Sequence, residues 1–275
     1  MCRAWEWRMN VRQRMNLRLI LWMLFLIYSP AALYGITLDH APIQDFDESV
    51  WRNPNTANAF YSRGVAHSRK GNYELARGDF DAAIQIAPTH RLALYNRGIA
   101  NLKSGDYQRA ITDFDQAIRI DPNVPETYYI RGRAKFYQGD FGAAVQDLEK
   151  VLQVRPRDMY RLLVLYLAHR RSGKTMDDDL TRLPSGLELH EWPGPVVSMF
   201  LSTADARAVL AAAADADALK QRERQCEAYF YIGEQLLLSG SKSEAVEMFK
   251  ASLATGITNF FEYEGAKAEL KRLGR

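Results

Sequence analysis

A spacing of 34 residues constrains this chain more than any single side chain does. Gly64, Gly98 and Gly132 keep that step, and so do Ala76, Ala110 and Ala144 and Pro88, Pro122 and Pro156. Gly71, Gly105 and Gly139 repeat it, as do the rings Tyr73, Tyr107 and Phe141. A unit of this length with small residues at fixed offsets and a closing proline reads as two antiparallel helices joined by a turn. The glycine at repeat position 8 and the alanine at position 20 let the two helices approach closely. The proline at position 32 stops the second helix before the next unit begins. One such hairpin cannot bury its apolar face alone, so the units must stack into an all-α helical-hairpin solenoid.

Three regular units occupy residues 56–158, beginning at Ala57, Arg91 and Pro125, with Asn55 or Thr56 as the first cap. A fourth begins in phase at Met159, with Leu162, Leu165, His169 and Gly173 at the expected offsets. Its second helix loses the pattern around Asp177–Leu180, so 159–225 reads as a degenerate unit followed by short helices. Those helices are expected near 195–201 and 203–214, the second capped by Ser202 or Thr203. The period returns from Cys226, with Tyr229, Gly233, Leu236, Gly240, Ala245 and Phe249 in register. Phe260–Leu273 is expected to close residues 226–273 as a capping helix, its Glu262, Glu264, Lys267, Glu269 and Lys271 forming a polar lid.

The first 38 residues carry a separate signal. Arg3, Arg8, Arg12, Arg14 and Arg18 against Glu6 give +4 before residue 19, and residues 19–38 are uncharged. The net charge of +3 therefore leaves about −1 for the rest, which excludes the basic stripe a nucleic-acid binder needs. An arginine-rich stretch, the apolar run Leu19–Tyr28 and small residues to Gly35 read as an export signal over residues 1–35. The alternative is an uncleaved membrane tether through 19–38, twenty uncharged positions. Both place the repeats in the periplasm or outside, because the arginines stay cytoplasmic. Residues 36–55, with Pro42, Pro54 and a run of acids, read as an extended linker.

The repeated glycines, alanines, rings and prolines resemble the tetratricopeptide (TPR) family. Against that pattern, position 7 departs from its usual leucine-like residue: Arg63, Arg97 and Arg131 stand there, with Asp79, Asp113 and Asp147 at position 23. In the last unit Ile232 and Met248 replace both partners together, as a packed structural ion pair predicts. By the same resemblance, the concave groove is lined by positions 2, 5, 9 and 12 of the first helices. These include Asn58 and Tyr61, then Tyr95, Ile99 and Leu102, then Tyr129, Arg133 and Phe136. Tyr61, Tyr95 and Tyr129 form a ladder suited to a protein or peptide partner. Arg133 is nearly the only cation there, which argues against a carboxylate clamp.

No catalytic constellation emerges. Gly173-Lys174-Thr175 lacks the first glycine of a phosphate loop, and Ser239-x-x-Lys242 straddles a turn. The five histidines share no metal-ligand spacing, and no nucleophile, base and orienting group come together. The expectation is a non-enzymatic scaffold without cofactor or metal. Cys226 is the one cysteine beyond the N-terminal segment, too few for an internal disulfide.

A narrower resemblance follows from Cys226–Glu234, Ala245–Ala251, Asn259–Glu264 and the Trp192-Pro193 segment. These are similar to the NlpI-type bacterial TPR lipoproteins. The resemblance implies an exported, homodimeric adaptor that holds a carboxyl-terminal processing protease and peptidoglycan hydrolases in the cell envelope. The cysteine that would carry a lipid is absent near Ala32–Ile36. The alternative is a structural part of an envelope secretion or polysaccharide-export assembly.

Overall fold

The computed structural model describes residues 43–173 and 187–275, which form thirteen α-helices and no strand. The N-terminal signal or tether, Asp177–Leu180 and Lys174-Thr175 lie outside the described residues. The backbone divides into residues 1–53 and residues 54–275.

In the first part, α1 (Ile43–Arg52) corrects the expectation of an extended linker. Pro42 and Pro54 flank this segment and do not interrupt it, and Asp45 and Arg52 sit at the ends that the helix dipole favours. Glu48 and Arg52, one turn apart, pair at 2.5 Å.

The second part begins with three hairpins: α2 (Ala57–Arg69) and α3 (Tyr73–Ile86), α4 (Arg91–Lys103) and α5 (Tyr107–Ile120), α6 (Pro125–Gln138) and α7 (Phe141–Leu152). The close approach read from the sequence is literal. A Cβ on Gly98 would lie 2.6 Å from the ring of Phe114, on Gly64 2.7 Å from Phe80, and on Gly132 3.0 Å from Leu148. The turn glycines Gly71, Gly105 and Gly139 have φ of 77°, 79° and 95°, a left-handed conformation that a side chain disfavours. Besides pairing within and between hairpins, the first helices of consecutive units touch one another, α2 with α4 and α4 with α6. They therefore form the inner wall of the array.

Helix α8 (Met159–Arg171) continues the inner wall, touching α6 and packing on α7. Short helices α9 (Gly194–Phe200) and α10 (Ala206–Ala212) follow. The cap of α10 is Asp205, whose carboxylate accepts from Ala208 N at 2.7 Å. Neither Ser202 nor Thr203 caps it, because the helix starts only at Ala206 and the Thr203 hydroxyl donates to the carbonyl of Ser198 at 3.0 Å. The last hairpin pairs α11 (Ala218–Leu238) with α12 (Lys242–Ala254). Helix α11 starts two turns before Cys226, because Asp217 accepts from the backbone of Leu219 and Lys220. Cys226 thus lies inside the helix and is fully buried.

Helix α13 (Phe261–Arg272) exposes Lys267 and Lys271, as a polar lid would, but not its three acids. It packs on α6, α11 and α12, and Glu262, Glu264 and Glu269 are all buried. Gly265 makes this possible, since a Cβ there would come within 2.6 Å of Phe230 and 3.2 Å of Tyr137. Glu262 meets the buried Arg133 and Glu269 meets Arg171, contacts across the chain that the spacing of acids on one helix does not reveal.

Candidate partner-binding face

Positions 7 and 23 meet across each of the three regular hairpins. Arg63 Nη2 lies 2.6 Å from Asp79 Oδ1, and Arg97 and Arg131 reach Asp113 and Asp147 at 2.5 Å. Two of these arginines also reach back one unit: Arg97 to Asp81 and Arg131 to Asp115, each at 2.6 Å. Position 11 adds a third contact to the same aspartates, with Asn101 donating to Asp113 at 2.9 Å and Lys135 lying 2.8 Å from Asp147. His67 is 3.9 Å from Asp79. The backward reach and the position 11 contacts were missed by sequence reading, although Asp81 and Asp115 share a repeat position and signal it.

The eight inner-wall residues fall into two groups. Leu102, Arg133 and Phe136 are fully buried, covered by the chain itself, so they are not open groove surface. Arg133 Nη2 is 2.9 Å from Glu262 Oε1 on α13, and its guanidinium also donates to the hydroxyls of Tyr129 and Tyr137. The Tyr137 hydroxyl donates to the carbonyl of Phe261 at 2.7 Å. Lys103 donates to the carbonyls of Asn259 and Phe260, and Arg272 to those of Phe136 and Tyr137. The last two contacts answer the exposed carbonyls at the end of α6. Burial lowers the Lys103 ammonium to about 8.

Asn58, Tyr61, Tyr95, Ile99 and Tyr129 keep exposed surface on the inner wall. The tyrosines are half-buried. Tyr61 rests against Phe80 and His90, and Tyr95 against Phe114 at 5.9 Å between ring centres. Tyr129 is clasped between the guanidinium groups of Arg133 and Arg161. The three tyrosines are thus held by packing, and each keeps part of its surface exposed.

Beyond Tyr129 the wall opens into a cleft of about 410 Å³, lined by Tyr129, Tyr160, Arg161, Glu227 and the Asn259–Glu262 turn. Arg161 Nε is buried without a hydrogen-bond partner. Glu227 accepts from the Tyr160 hydroxyl at 3.1 Å and from Trp192 Nε1. Burial, reinforced by the charge of Glu262, pushes the Glu227 carboxyl up to about 8. The cleft combines aromatic walls, a guanidinium and an acid held largely protonated at neutral pH. That set can grip a polar backbone or side chain.

Tetratricopeptide-repeat models match residues 43–91, 61–125 and 97–169. The chain carries tetratricopeptide repeats. It also resembles the lipoprotein NlpI homolog of Haemophilus influenzae, 30% identical over 120 residues, a match spanning 42% of this chain and 38% of that relative. Among solved structures, it is similar to a tetratricopeptide-repeat protein from Parabacteroides merdae at 15% identity and TM-score 0.48, covering 82% of this chain and 75% of that one. It is likewise similar to MamA from Desulfovibrio magneticus RS-1 at 19% identity and TM-score 0.44, covering 74% and 96%. At those scores neither carries an argument about function. Among the described residues no helix is long and apolar enough to cross a membrane.

Proposed function

We infer that this TPR protein is a non-enzymatic adaptor that holds a protein or peptide segment on its inner wall. The observation that carries the reading is the set Tyr61, Tyr95 and Tyr129 at one repeat position, each held by neighbouring side chains and half-exposed. Rigid aromatic rings give contact area at little entropic cost, the arrangement expected of a recognition surface. The resemblance to NlpI and the arginine-rich, apolar N-terminal segment support an envelope location, acting on proteolysis or on peptidoglycan hydrolases.

Site-specific photo-crosslinking in living cells tests this directly. Leu92, exposed on α4 beside the ladder, and Asn58 should both trap the same protein, while Leu75, exposed on α3, should not. A processing protease or a peptidoglycan hydrolase among the products would name the job. Equal yields from the inner-wall and control positions would sink the reading.

A further inference from the structure

The cleft between the first two units and the cleft beside the last unit differ in chemistry. Between the first two units the cleft is polar, lined by Asp81, Arg97, Asn101 and Asp113. Arg97, Asn101 and Asp113 stand at repeat positions 7, 11 and 23. In the last unit those same positions are Ile232, Leu236 and Met248, and all three line a cleft of about 590 Å³ between α9–α10, α11 and α12. Met199 and Ala206 extend the apolar floor from the other side. Three positions that jointly hold an ion-pair network in units one to three have turned apolar together; Ile232 is buried, and Leu236 and Met248 are half-buried at the cleft.

Exchange of a buried ion pair for apolar side chains is neutral or stabilising when the new side chains pack against the protein. Here Ile232 packs wholly into the core, while Leu236 and Met248 pack against it and leave part of their surface turned to the cleft. Two of the floor residues are methionines, unbranched side chains that adapt to varied apolar partners. The rim carries Asp205, Glu244 and Glu247, and no lysine or arginine lines the cleft. Asp205 caps α10, and Glu247 meets Lys250 one turn on at 2.9 Å.

We propose that this cleft is a second docking groove, taking a short peptide segment of a partner protein whose apolar side chains are flanked by lysine or arginine. The apolar side chains meet Ile232, Leu236 and Met248, and the flanking cations meet the carboxylate rim. The groove is separate from the tyrosine ladder and stands or falls independently of it.

The test uses the full-length chain and two fluorescein-labelled ten-residue peptides with the same leucine and phenylalanine centre, one flanked by lysines and one by glutamates. Fluorescence anisotropy should give at least tenfold tighter binding of the lysine-flanked peptide. The doubly substituted Glu244→Lys, Glu247→Lys chain should invert that preference, both sites being exposed and outside the core. Tyr95→Ala should change neither affinity, which separates this groove from the inner wall. Equal binding of the two peptides, no binding of either, or a preference untouched by the charge reversal would overturn the proposal. So would sedimentation showing that the chain self-associates through this cleft.

Discussion

Arg133 on α6 and Glu262 on α13 meet at 2.9 Å across 129 residues of sequence, with side chains only 3% and 6% exposed. This contact ties the end of the chain to the inner wall of its third unit. Removing one member leaves the other as an uncompensated buried charge, which costs about 3–5 kcal/mol. Glu262→Ala should lower the urea midpoint accordingly, and the paired change Arg133→Met, Glu262→Leu should recover much of the loss. An unaltered midpoint in the single variant would show that α13 is not anchored by this pair.

The Arg97–Asp113 pair allows a similar comparison with a built-in template. Arg97→Ala strands Asp113, which is buried, and should cost about 3 kcal/mol. Installing the last unit's residues in the second unit, Arg97→Ile with Asp113→Met, should be markedly less harmful than either single change. A double variant as unstable as the sum of its parts would contradict a coupled pair. Thermal unfolding followed by circular dichroism suffices.

Two glycines on neighbouring helices should respond oppositely to alanine. Gly98→Ala drives a methyl into the fully buried ring of Phe114 and should cost about 1–3 kcal/mol. Gly78, inside α3, meets nothing within 4 Å, so Gly78→Ala should stabilise by about 0.5–1 kcal/mol through helix propensity. Equal effects at the two sites would mean that close approach is not what the repeat position 8 glycine supplies.

Glu227 should give the fold a pH dependence. Its carboxyl is raised to about 8 in the folded chain, so below that pH the folded state holds a proton that the unfolded state releases near 4.5. The stability this contributes is complete below pH 4.5 and is lost as pH rises through 8. Between pH 6 and 8 the loss from this group is about 2 kcal/mol. Glu234 and Glu264, also raised by burial, add in the same direction. Lys103, lowered to about 8, acts in the opposite sense only above that pH. Glu227→Gln should flatten the dependence of melting temperature on pH between 6 and 8. A slope identical to that of the unmodified chain would remove Glu227 from the account.

Much of the fold was legible because it depends on spacing. The 34-residue step places a glycine against a ring in every regular unit but the third, where Leu148 stands in, and puts Arg and Asp at positions that face each other. What was not legible depends on contacts across long stretches of chain. Glu262 reads as a surface acid until Arg133 is seen beneath it, and Arg133 reads as a groove cation until Glu262 covers it. Helix α1 was missed because a decapeptide between two prolines resembles a linker. The early start of α11 was missed because Asp217 lies outside the repeat pattern. The first helices touch from unit to unit, and that Leu102, Arg133 and Phe136 are covered while the tyrosines keep exposed surface is not legible in the repeat pattern.

The backward reach of Arg97 and Arg131 also bears on how such an array can change its length. The first and second units each offer an aspartate forward at position 25, and the second and third each extend an arginine back from position 7, so both junctions between them are made in the same way. Excising residues 91–124 would bring Arg131 to Asp81 with the original pairing restored, and a duplicated copy would splice in equally well. Any other step would leave a cation facing the wrong side chain. The charge pattern thus acts as a register that tolerates gain or loss only in whole units of 34, and it ends at the fourth unit, where Leu165 replaces the arginine.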